Sequence, residues 1–376
     1  MSLSLLIALS AALHFYIGAR IAPGLPSVAG WLLAGWLLVS TVLTPLGLIA
    51  RRWLRPPAAD RLTWAGMLAM GLFSSLLVFT LLREVLLLLA SLVAHFGVDV
   101  PVALGPDSAI AVAVLALLAT ALGLANARRT AQVVRVEVKL APLPPALEGF
   151  RIVQISDIHV GPTIKGGYLD AIVDRVNALE PDVVAITGDL VDGTVADLAE
   201  HVAPLARLRA RHGAYFVTGN HEYYSGVHGW VAELRRLGIR VLHNEHVVLQ
   251  HAGEQLVLAG VPDVGGHHFD PAHRSDPAAA VQGAPAGAVK VLLAHQPRSA
   301  AAAAQAGFDL QLSGHTHGGQ FFPWSLFVPL QQPFTAGLHQ LGRMWVYVSR
   351  GTGYWGPPKR IGAPSEISEI RLAVSA

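Results

Sequence analysis

Two histidines that are two residues apart, His315 and His317, stand in the stretch Leu312–Gln320. The stretch reads Leu-Ser-Gly-His-Thr-His-Gly-Gly-Gln, so the pair follows an apolar run and precedes two glycines. In an extended segment residues i and i+2 point to the same side, so the two imidazoles can converge on neighbouring ions. The spacing therefore indicates a metal site, although a chain with 17 histidines also produces such a pair by chance.

Four other stretches combine carboxylate, amide and imidazole groups, which are ligand types for divalent cations. In chain order they are Asp157-Ile158-His159, Gly188-Asp189, Gly219-Asn220-His221-Glu222 and His295-Gln296. Alone, each has an ordinary explanation as an Asx-turn, a helix cap, a turn or a half-buried histidine. All five stretches, however, directly follow short apolar runs that predict β-strands. Together they therefore predict one metal site.

Predicted strands and helices alternate along the second half of the chain, which is typical of a layered α/β domain. The predicted strands are Ile152–Ile155, Val183–Thr187, Tyr215–Val217, Leu256–Ala259, Val289–Leu293, Leu310–Leu312 and Trp345–Val348. The predicted amphipathic helices are Tyr168–Ala178, Val195–Arg211 and His228–Leu237. Val133–Leu140 alternates apolar and polar residues as an edge strand does, and prolines 142, 144 and 145 then predict a rigid connector. Such folds collect functional residues just after their strand ends, so we expect the five stretches to meet.

The five stretches together resemble the complete signature of the calcineurin-like metallophosphoesterases. The resemblance covers Arg151–Arg371 and is closer to membrane-associated members that carry helices ahead of the phosphoesterase domain. It implies an α/β fold, a four-layer αββα sandwich in which two sheets pack on each other between helices. It also implies a two-metal centre where the sheets meet, and hydrolysis of a phosphoester or phosphoanhydride. Glu222 departs from the pattern, since many relatives have Asp there, but it lies outside the implied ligand set.

The resemblance implies three ligands for each metal and one shared carboxylate. The first metal takes Asp157, His159 and His317, the second takes Asn220, His295 and His315, and Asp189 bridges the two. His221 is then the acid that protonates the leaving group. Two divalent ions, Mn, Fe or Zn, suit mixed nitrogen and oxygen ligands and phosphate oxygens. Such a pair generates hydroxide near neutral pH and clamps the attacking and leaving oxygens.

Several polar and aromatic residues near these motifs have two explanations. Asp192 either orients a ligand histidine or caps the following helix. Arg350 and Arg360 lie in a stretch rich in glycine, aromatic and basic residues, and they are candidates for contact with a substrate phosphate. In the same stretch, Trp355 either meets lipid or a base, or belongs to a structural loop.

Two loops also have two explanations. The histidine-rich loop Gly265–His273 either overhangs the metal site or is solvated. The apolar loop Phe321–Val328 directly follows the metal ligands, and it either dips into the membrane interface to meet a lipid substrate or packs on the domain.

The composition indicates that part of the chain lies in lipid, because 53% of the residues are hydrophobic, only 14% are charged, and the mean hydropathy is +0.48. The absence of cysteine excludes disulfides, thiolate metal sites and cysteine nucleophiles. The net charge is only +2, so we expect no binding of nucleic acid.

Four apolar segments precede the metal motifs and are long enough to approach or cross a bilayer. They are Leu3–Ala19, Val28–Ala50, Leu62–Leu82 and Ala109–Ala125. The first lacks a basic n-region and a clear cleavage site, so we expect a retained helix rather than a signal peptide. The third is followed by Arg83 and Glu84, where we expect the crossing to end, and by Val85–Phe96 as an interfacial or re-entrant piece. Adjacent helix residues do not face each other, so we do not expect Arg83 and Glu84 to pair.

Arginines concentrate after the second and fourth apolar segments, so the positive-inside rule predicts that both termini are cytoplasmic. The expected protein is a multi-pass inner-membrane protein with residues 1–130 in the membrane, a connector at 131–148 and a cytoplasmic phosphoesterase domain at 149–376. Its expected partners are a phosphoester substrate and membrane lipid, and the membrane tether favours a lipid-linked substrate. The alternative is a membrane sensor or scaffold whose phosphoesterase domain has lost activity.

Overall fold

The computed structural model describes residues 3–97, 104–141 and 143–375, so proline 142 of the predicted connector lies outside the described residues. The chain divides into two compact units. The first comprises Met1–Arg128 and Gly356–Ile361, and the second comprises Arg129–Trp355 and Gly362–Ala376.

Four long helices make up most of the first unit. They are α1 (Leu3–Ile21), α2 (Ser27–Ile49), α3 (Ala58–His95) and α4 (Leu104–Arg128). All four are long and apolar enough to cross a membrane, in agreement with the four predicted segments. Large apolar side chains cover their outer surface, and Trp31 is 80% exposed. A contiguous apolar surface of this kind is typical of helices that face lipid.

Helix α3 runs without a break through Arg83, so the expectation that Val85–Phe96 is a separate interfacial or re-entrant piece is wrong, whereas the end of the crossing near Arg83 stays a prediction. Its 38 residues correspond to about 57 Å of helix. Arg83 Nη1 donates to Glu84 Oε1 at 2.8 Å, and Arg83 Nε donates to Ser108 Oγ at 2.9 Å. Glu84 also pairs with Arg20. The expectation that Arg83 and Glu84 do not pair is therefore also wrong, because long side chains can bend toward each other although their Cβ atoms diverge.

The segment Gly356–Ile361 belongs to the helical unit. Lys359 is 4% exposed, and its Nζ donates to Ser75 Oγ at 2.6 Å. The backbone N–H of Arg360 donates to the carbonyl of Gly123 at 3.0 Å. Arg360 itself is only 1% exposed, so its guanidinium is buried within the protein.

Among its described residues, the second unit contains twelve strands in two sheets of six. The strands are β1 (Gln132–Leu140), β2 (Arg151–Ile155), β3 (Val183–Ile186), β4 (Ala214–Phe216), β5 (Arg240–Val241), β6 (Glu245–His251), β7 (Glu254–Gly260), β8 (Val289–Leu293), β9 (Leu310–Ser313), β10 (Gly337–Leu341), β11 (Met344–Val348) and β12 (Glu366–Val374). The first sheet has the order β1-β12-β2-β3-β4-β5, and the second has the order β10-β11-β9-β8-β7-β6. β1 is an edge strand, as predicted.

Parallel pairing brings the functional ends of the strands together. In the first sheet β2, β3, β4 and β5 are parallel, while β12 is antiparallel to β2 and parallel to β1. In the second sheet β7, β8, β9 and β11 are parallel, and the edge strands β6 and β10 pair antiparallel to their neighbours. The carboxyl ends of the parallel strands within each sheet therefore lie at one edge.

The two sheets pack face to face around one apolar core. Val183 and Ala185 of β3 lie in this core together with Val291 and Leu293 of β8. The alternate side chains of β3 point to the opposite face, and they are buried as well because helices cover that face. The helices of this unit are α5 (Gly166–Asn177), α6 (Val195–Val202), α7 (Asn220–Tyr224), α8 (Val227–Arg236), α9 (Pro277–Ala280) and α10 (Ala300–Gln305). The predicted four-layer α/β fold is confirmed.

One predicted helix is shorter than expected. The prediction extended it from Val195 to Arg211, whereas α6 ends at Val202 and a 3₁₀ turn occupies Ala203–Arg207. Pro204 explains the change, because proline has no N–H to donate and its ring clashes with the preceding helical turn.

Candidate metal centre

The loops that follow β2, β3, β4, β8 and β9 meet at the carboxyl ends of these strands. They bring together all the predicted metal ligands and the predicted acid: Asp157, His159, Asp189, Asn220, His221, His295, His315 and His317. Direct contacts between side chains of different loops define two groups of predicted ligands, and a third group that shares their members, His159, Asp189 and His221, also has its ligand atoms within 4.8 Å of one another.

The first group consists of Asp157, His159 and His317, whose potential ligand atoms all lie within 4.8 Å of one another. His159 Nε2 lies 3.1 Å from His317 Nε2, and Asp157 Oδ1 lies 3.5 Å from the same His317 atom. Asp157 is fully buried. A carboxylate and two imidazoles that converge in this way fit one divalent cation.

The second group consists of Asp189, His295 and His315, with ligand atoms again within 4.8 Å of one another. His295 Nε2 lies 3.1 Å from both Asp189 Oδ2 and His315 Nδ1. Asn220 Oδ1 is buried and has no hydrogen-bond partner among the described residues. An unsatisfied buried oxygen is destabilising by about 1–3 kcal/mol. A cation at this group would satisfy that oxygen, so the residues present fit a metal.

Asp189 faces both groups. Its Oδ2 lies 3.1 Å from His295 Nε2 in the second group and 4.0 Å from His159 Nε2 in the first. Its Oδ1 accepts the backbone N–H of His221 at 2.8 Å, which fixes the carboxylate. This placement is the one that a bridging ligand requires.

Backbone strain is concentrated in the predicted ligands. Five of them have positive φ angles: Asp157 (54°), His159 (56°), Asp189 (50°), His315 (71°) and His317 (52°). Residues other than glycine adopt this left-handed conformation at a free-energy cost of about 1–3 kcal/mol each, and such residues cluster at functional sites. The surrounding contacts therefore hold these side chains in a conformation that the free chain would avoid.

Asp192 supports two histidines at once. Its Oδ1 lies 3.2 Å from His159 Nδ1 and 2.5 Å from His221 Nδ1. The N-cap residue of α6 is Thr194, so of the two explanations for Asp192 the structure favours orientation of histidines. Burial opposes the charge of Asp192, but the two imidazoles hold the pKa of its carboxyl well below the ordinary value. A charged carboxylate behind a ligand imidazole fixes its tautomer and raises its basicity.

Glu222 was not predicted to have a role, yet its carboxylate holds two of the site loops together. It accepts backbone N–H groups from Gly219 at 2.7 Å, Asp189 at 3.0 Å, Leu190 at 2.8 Å and Val191 at 3.3 Å. Burial and the neighbouring Asp189 carboxylate raise the pKa of Glu222 to about 8. Its position directly after Asn220 and His221 was the only signal in the sequence.

The side chain of His221 is partly exposed, with 16% of it accessible. Its ring packs edge-on against Tyr224 and Trp355, with centroid distances of 5.3 and 5.6 Å. Burial disfavours the charged ring, but Asp189 and Asp192 raise the pKa of His221 to about 9. Without bound cations the ring is therefore protonated at neutral pH.

Two glycines of the motifs leave no room for a side chain. A Cβ at Gly314 would lie 2.1 Å from Asp157 Oδ2 and 2.0 Å from Ser156 Oγ. A Cβ at Gly219 would lie 2.2 Å from Asp189 Oδ1. The backbone therefore packs directly on two predicted ligands, which explains why glycine precedes His315 and Asn220.

A cleft of about 280 Å³ opens beside the second ligand group. Its lining residues are Asn220, Tyr223, Tyr224, Asp263, Gly265, His268, Phe269, Gln296, Arg298 and His315. The loop Gly265–His273 therefore forms part of the cleft wall, as one of its two explanations proposed. Arg298 was missed, although it follows His295 by three residues. A larger groove of about 620 Å³ runs beside Arg151, and none of the predicted ligands is among its described lining residues.

Comparisons with known proteins agree with this geometry. Residues 150–319 match the sequence model of the calcineurin-like phosphoesterase family. A bovine protein (Bos taurus) named "transmembrane protein with metallophosphoesterase domain" is 44% identical over 276 residues, which are 70% of this chain and 62% of the relative. An uncharacterized metallophosphoesterase of Campylobacter jejuni is 36% identical over 249 residues, which are 66% of this chain and 64% of the relative.

The chain thus spans less than two thirds of the length of these two relatives. The chain covers a larger share of a third relative. An uncharacterized metallophosphoesterase of Aquifex aeolicus is 32% identical over 243 residues, which are 64% of this chain and 91% of the relative. With the five motifs, the two sheets and the paired ligand groups, these matches show that the chain belongs to the calcineurin-like phosphoesterase family.

Proposed function

We propose that the protein is a membrane-anchored phosphoesterase that uses two divalent metal ions to hydrolyse a phosphoester or phosphoanhydride bond. The observation that carries this proposal is the pair of ligand groups on either side of Asp189, with His221 beside them. The four apolar helices provide the anchor.

We assign the ligands as the motifs predict. Asp157, His159 and His317 hold one ion, Asn220, His295 and His315 hold the other, and Asp189 bridges them. Manganese, iron or zinc suits these nitrogen and oxygen donors. When bound, the two ions supply Lewis acidity toward phosphate oxygens and make water a nucleophile near neutral pH.

His221 acts as the acid in this proposal. Its Nδ1 is engaged by Asp192 at 2.5 Å, so Nε2 is the atom that donates a proton to the leaving oxygen. Tyr224 and Trp355 hold the ring from two sides. The charge of Asp192 keeps the imidazolium stable until the proton moves.

Two arginines could contact the phosphate of the substrate. Arg298 is exposed and lines the cleft. Arg350 is already bonded to Glu366 Oε2 at 2.9 Å, and a third of its side chain is exposed. We propose Arg298 as the principal contact and Arg350 as a second one, since a guanidinium that is shared with a carboxylate binds phosphate less strongly.

A lipid-linked phosphate is the substrate class that we favour. The loop after the ligands exposes large apolar side chains to solvent: Phe322, Trp324, Leu326, Phe327 and Leu330 are each at least 50% exposed. Gln320, at the start of this loop, exchanges two hydrogen bonds of 2.9 Å with the backbone of Trp355, whose ring contacts His221. An apolar surface connected in this way to the acid suits a substrate that carries acyl or prenyl chains.

We further propose that the helices lie in the inner membrane and that the domain faces the cytoplasm. The reason is that arginines concentrate after the second and fourth apolar segments, and the positive-inside rule places such ends in the cytoplasm. A C-terminal alkaline phosphatase fusion should be inactive and a C-terminal fluorescent protein bright. The reverse result would place the domain outside.

The proposed activity can be tested on the full-length protein in detergent. Metal content is measured, followed by hydrolysis of para-nitrophenyl phosphate, bis-para-nitrophenyl phosphate and a prenyl-linked nucleotide pyrophosphate. The Asp189→Asn variant is the control, and we expect it to lose both metal and turnover because the bridge loses its charge. A metal-replete protein that hydrolyses none of these esters would instead favour a sensor or scaffold.

A further inference from the structure

A second cluster of metal-binding side chains lies outside the proposed catalytic centre. It consists of His228, Asp270 and His273, whose potential ligand atoms all lie within 4.8 Å of one another. Asp270 Oδ2 lies 3.2 Å from His228 Nε2 and 3.9 Å from His273 Nε2. His228 is the second residue of α8, whereas the other two residues come from the end of the loop Gly265–His273.

We propose that His228, Asp270 and His273 bind a third divalent cation, of the zinc type, which fastens the loop Gly265–His273 to helix α8. Two imidazoles and one carboxylate, with water in the fourth position, form a complete tetrahedral set for zinc. Ligands at about 2.0–2.1 Å from a tetrahedral ion are separated from one another by roughly 3.4 Å. The distances from Asp270 Oδ2 to the two imidazole nitrogens, 3.2 and 3.9 Å, lie on either side of that value. Small side-chain rotations would therefore bring the three ligand atoms to the separations that a zinc ion requires.

Hydrogen bonds leave the appropriate atom of each loop residue facing the centre of the cluster. Asp270 Oδ1 accepts the backbone N–H of Ala272 at 2.9 Å, so Oδ2 is directed to the imidazoles. His273 Nδ1 lies 3.0 Å from Tyr223 Oη, which itself lies 3.2 Å from Thr218 Oγ1. Metal-binding histidines commonly donate their second ring N–H to such a partner, and this bond fixes the tautomer that leaves Nε2 for the ion.

The third ion would act on the shape of the cleft rather than on the reaction. Phe269, one residue before Asp270, packs its ring 5.6 Å from that of Tyr223 and 5.7 Å from that of Tyr224. Tyr224 in turn contacts His221. An ion that holds Asp270 therefore holds Phe269 against the two tyrosines that line the cleft. The site is structural, and it adjusts which substrates the cleft admits.

Metal stoichiometry tests this proposal on the full-length protein in detergent. The protein is stripped with a chelator, dialysed against buffered Zn²⁺ and measured by mass spectrometry of the bound metal. We expect His228→Gln and His273→Gln each to bind one ion per chain fewer than the wild type. His267→Gln is the matched control, because it changes an imidazole of the same loop that is outside the cluster, and it should keep the wild-type stoichiometry. Since the side chain of His228 is 72% exposed, its replacement does not disturb the core.

A second measurement separates this site from the proposed catalytic pair. In an Asp189→Asn background, in which the catalytic ions bind less tightly, His228→Gln should still remove one further ion. Trypsin should also cleave after the exposed Arg274 faster in His228→Gln than in the wild type, provided that Zn²⁺ is present. Equal metal content in the wild type, His228→Gln and His273→Gln would overturn the proposal, whatever the catalytic site binds.

Discussion

Replacing Gly314 with alanine should remove the first metal ion, because the new methyl group occupies the position of a ligand. Its Cβ would lie 2.1 Å from Asp157 Oδ2, whereas ordinary contacts begin at 3.4 Å. The carboxylate must therefore move by more than about 1 Å, which is several times the tolerance of roughly 0.2 Å for a metal–ligand distance. The backbone N–H of His315, which donates to both oxygens of Asp157 at 2.9 and 3.1 Å, would be displaced as well.

The assay combines metal content with hydrolysis of the ester that the wild type cleaves best. We expect Gly314→Ala to lose one ion per chain and to turn over roughly 100-fold more slowly, as misplacement by about 1 Å at an active site commonly does. Gly167→Ala is the matched control, since a Cβ at this helical position meets no described atom within 4 Å and its φ is not positive. It should keep the wild-type number of ions and gain up to about 1 kcal/mol of stability. Retention of the wild-type metal content by Gly314→Ala, with turnover within about twofold of wild type, would refute the reasoning.

Three further predictions concern the protonation network around the proposed metals. His221→Ala should lower turnover roughly 100- to 10,000-fold while metal content stays constant, and loss of metal would make His221 a ligand instead. Asp192→Asn removes the carboxylate behind two imidazoles, so competition with a zinc chelator should show metal affinity about 10–100-fold weaker, and unchanged affinity would exclude the orienting role. In metal-free protein, burial lowers the pKa of His221, but Asp189 and Asp192 raise it from 6.5 to about 9. The protonated ring therefore stabilises the fold fully below pH 6.5, and this stabilisation is lost as the pH rises through about 9. This contribution to the free energy of unfolding is up to about 3 kcal/mol. When wild type and His221→Asn are unfolded by denaturant across this pH range, the difference between their free energies of unfolding should shrink as the pH rises. A difference that stays constant would contradict this prediction.

The sequence predicted the strands that carry the site because these strands are buried on both faces. Such strands consist almost entirely of apolar, β-branched residues, as in Val183–Ile186, and they are easy to recognise. The edge strands β6 and β10 were missed, since an exposed strand needs no apolar run. β12 was missed for a different reason. Its Glu366 is buried but accepts the hydroxyl of Tyr347 at 2.7 Å, so a charged residue lies inside the sheet.

The candidate site was predicted through residues that are close in the sequence, and the supporting contacts could not be. Asp157 and His159 form a motif because they follow one strand, whereas Glu222 matters through bonds to the backbone of a different loop. His228 and His273 lie far apart in the chain, so only the fold shows that they share Asp270. The continuation of α3 past Arg83 could not be predicted either, because the groups that bind the Arg83 guanidinium, Ser108 and Arg20, come from other helices.

The position of β12 determines when the first sheet can be completed during synthesis. This strand lies between β1 and β2, so the first sheet stays split until residues near Val374 have left the ribosome. The second sheet is made only of β6 to β11 and can close earlier. Four of the seven predicted ligands follow strands of the first sheet, and three follow strands of the second. The predicted metal pair can therefore bind only after both sheets have folded and packed on each other.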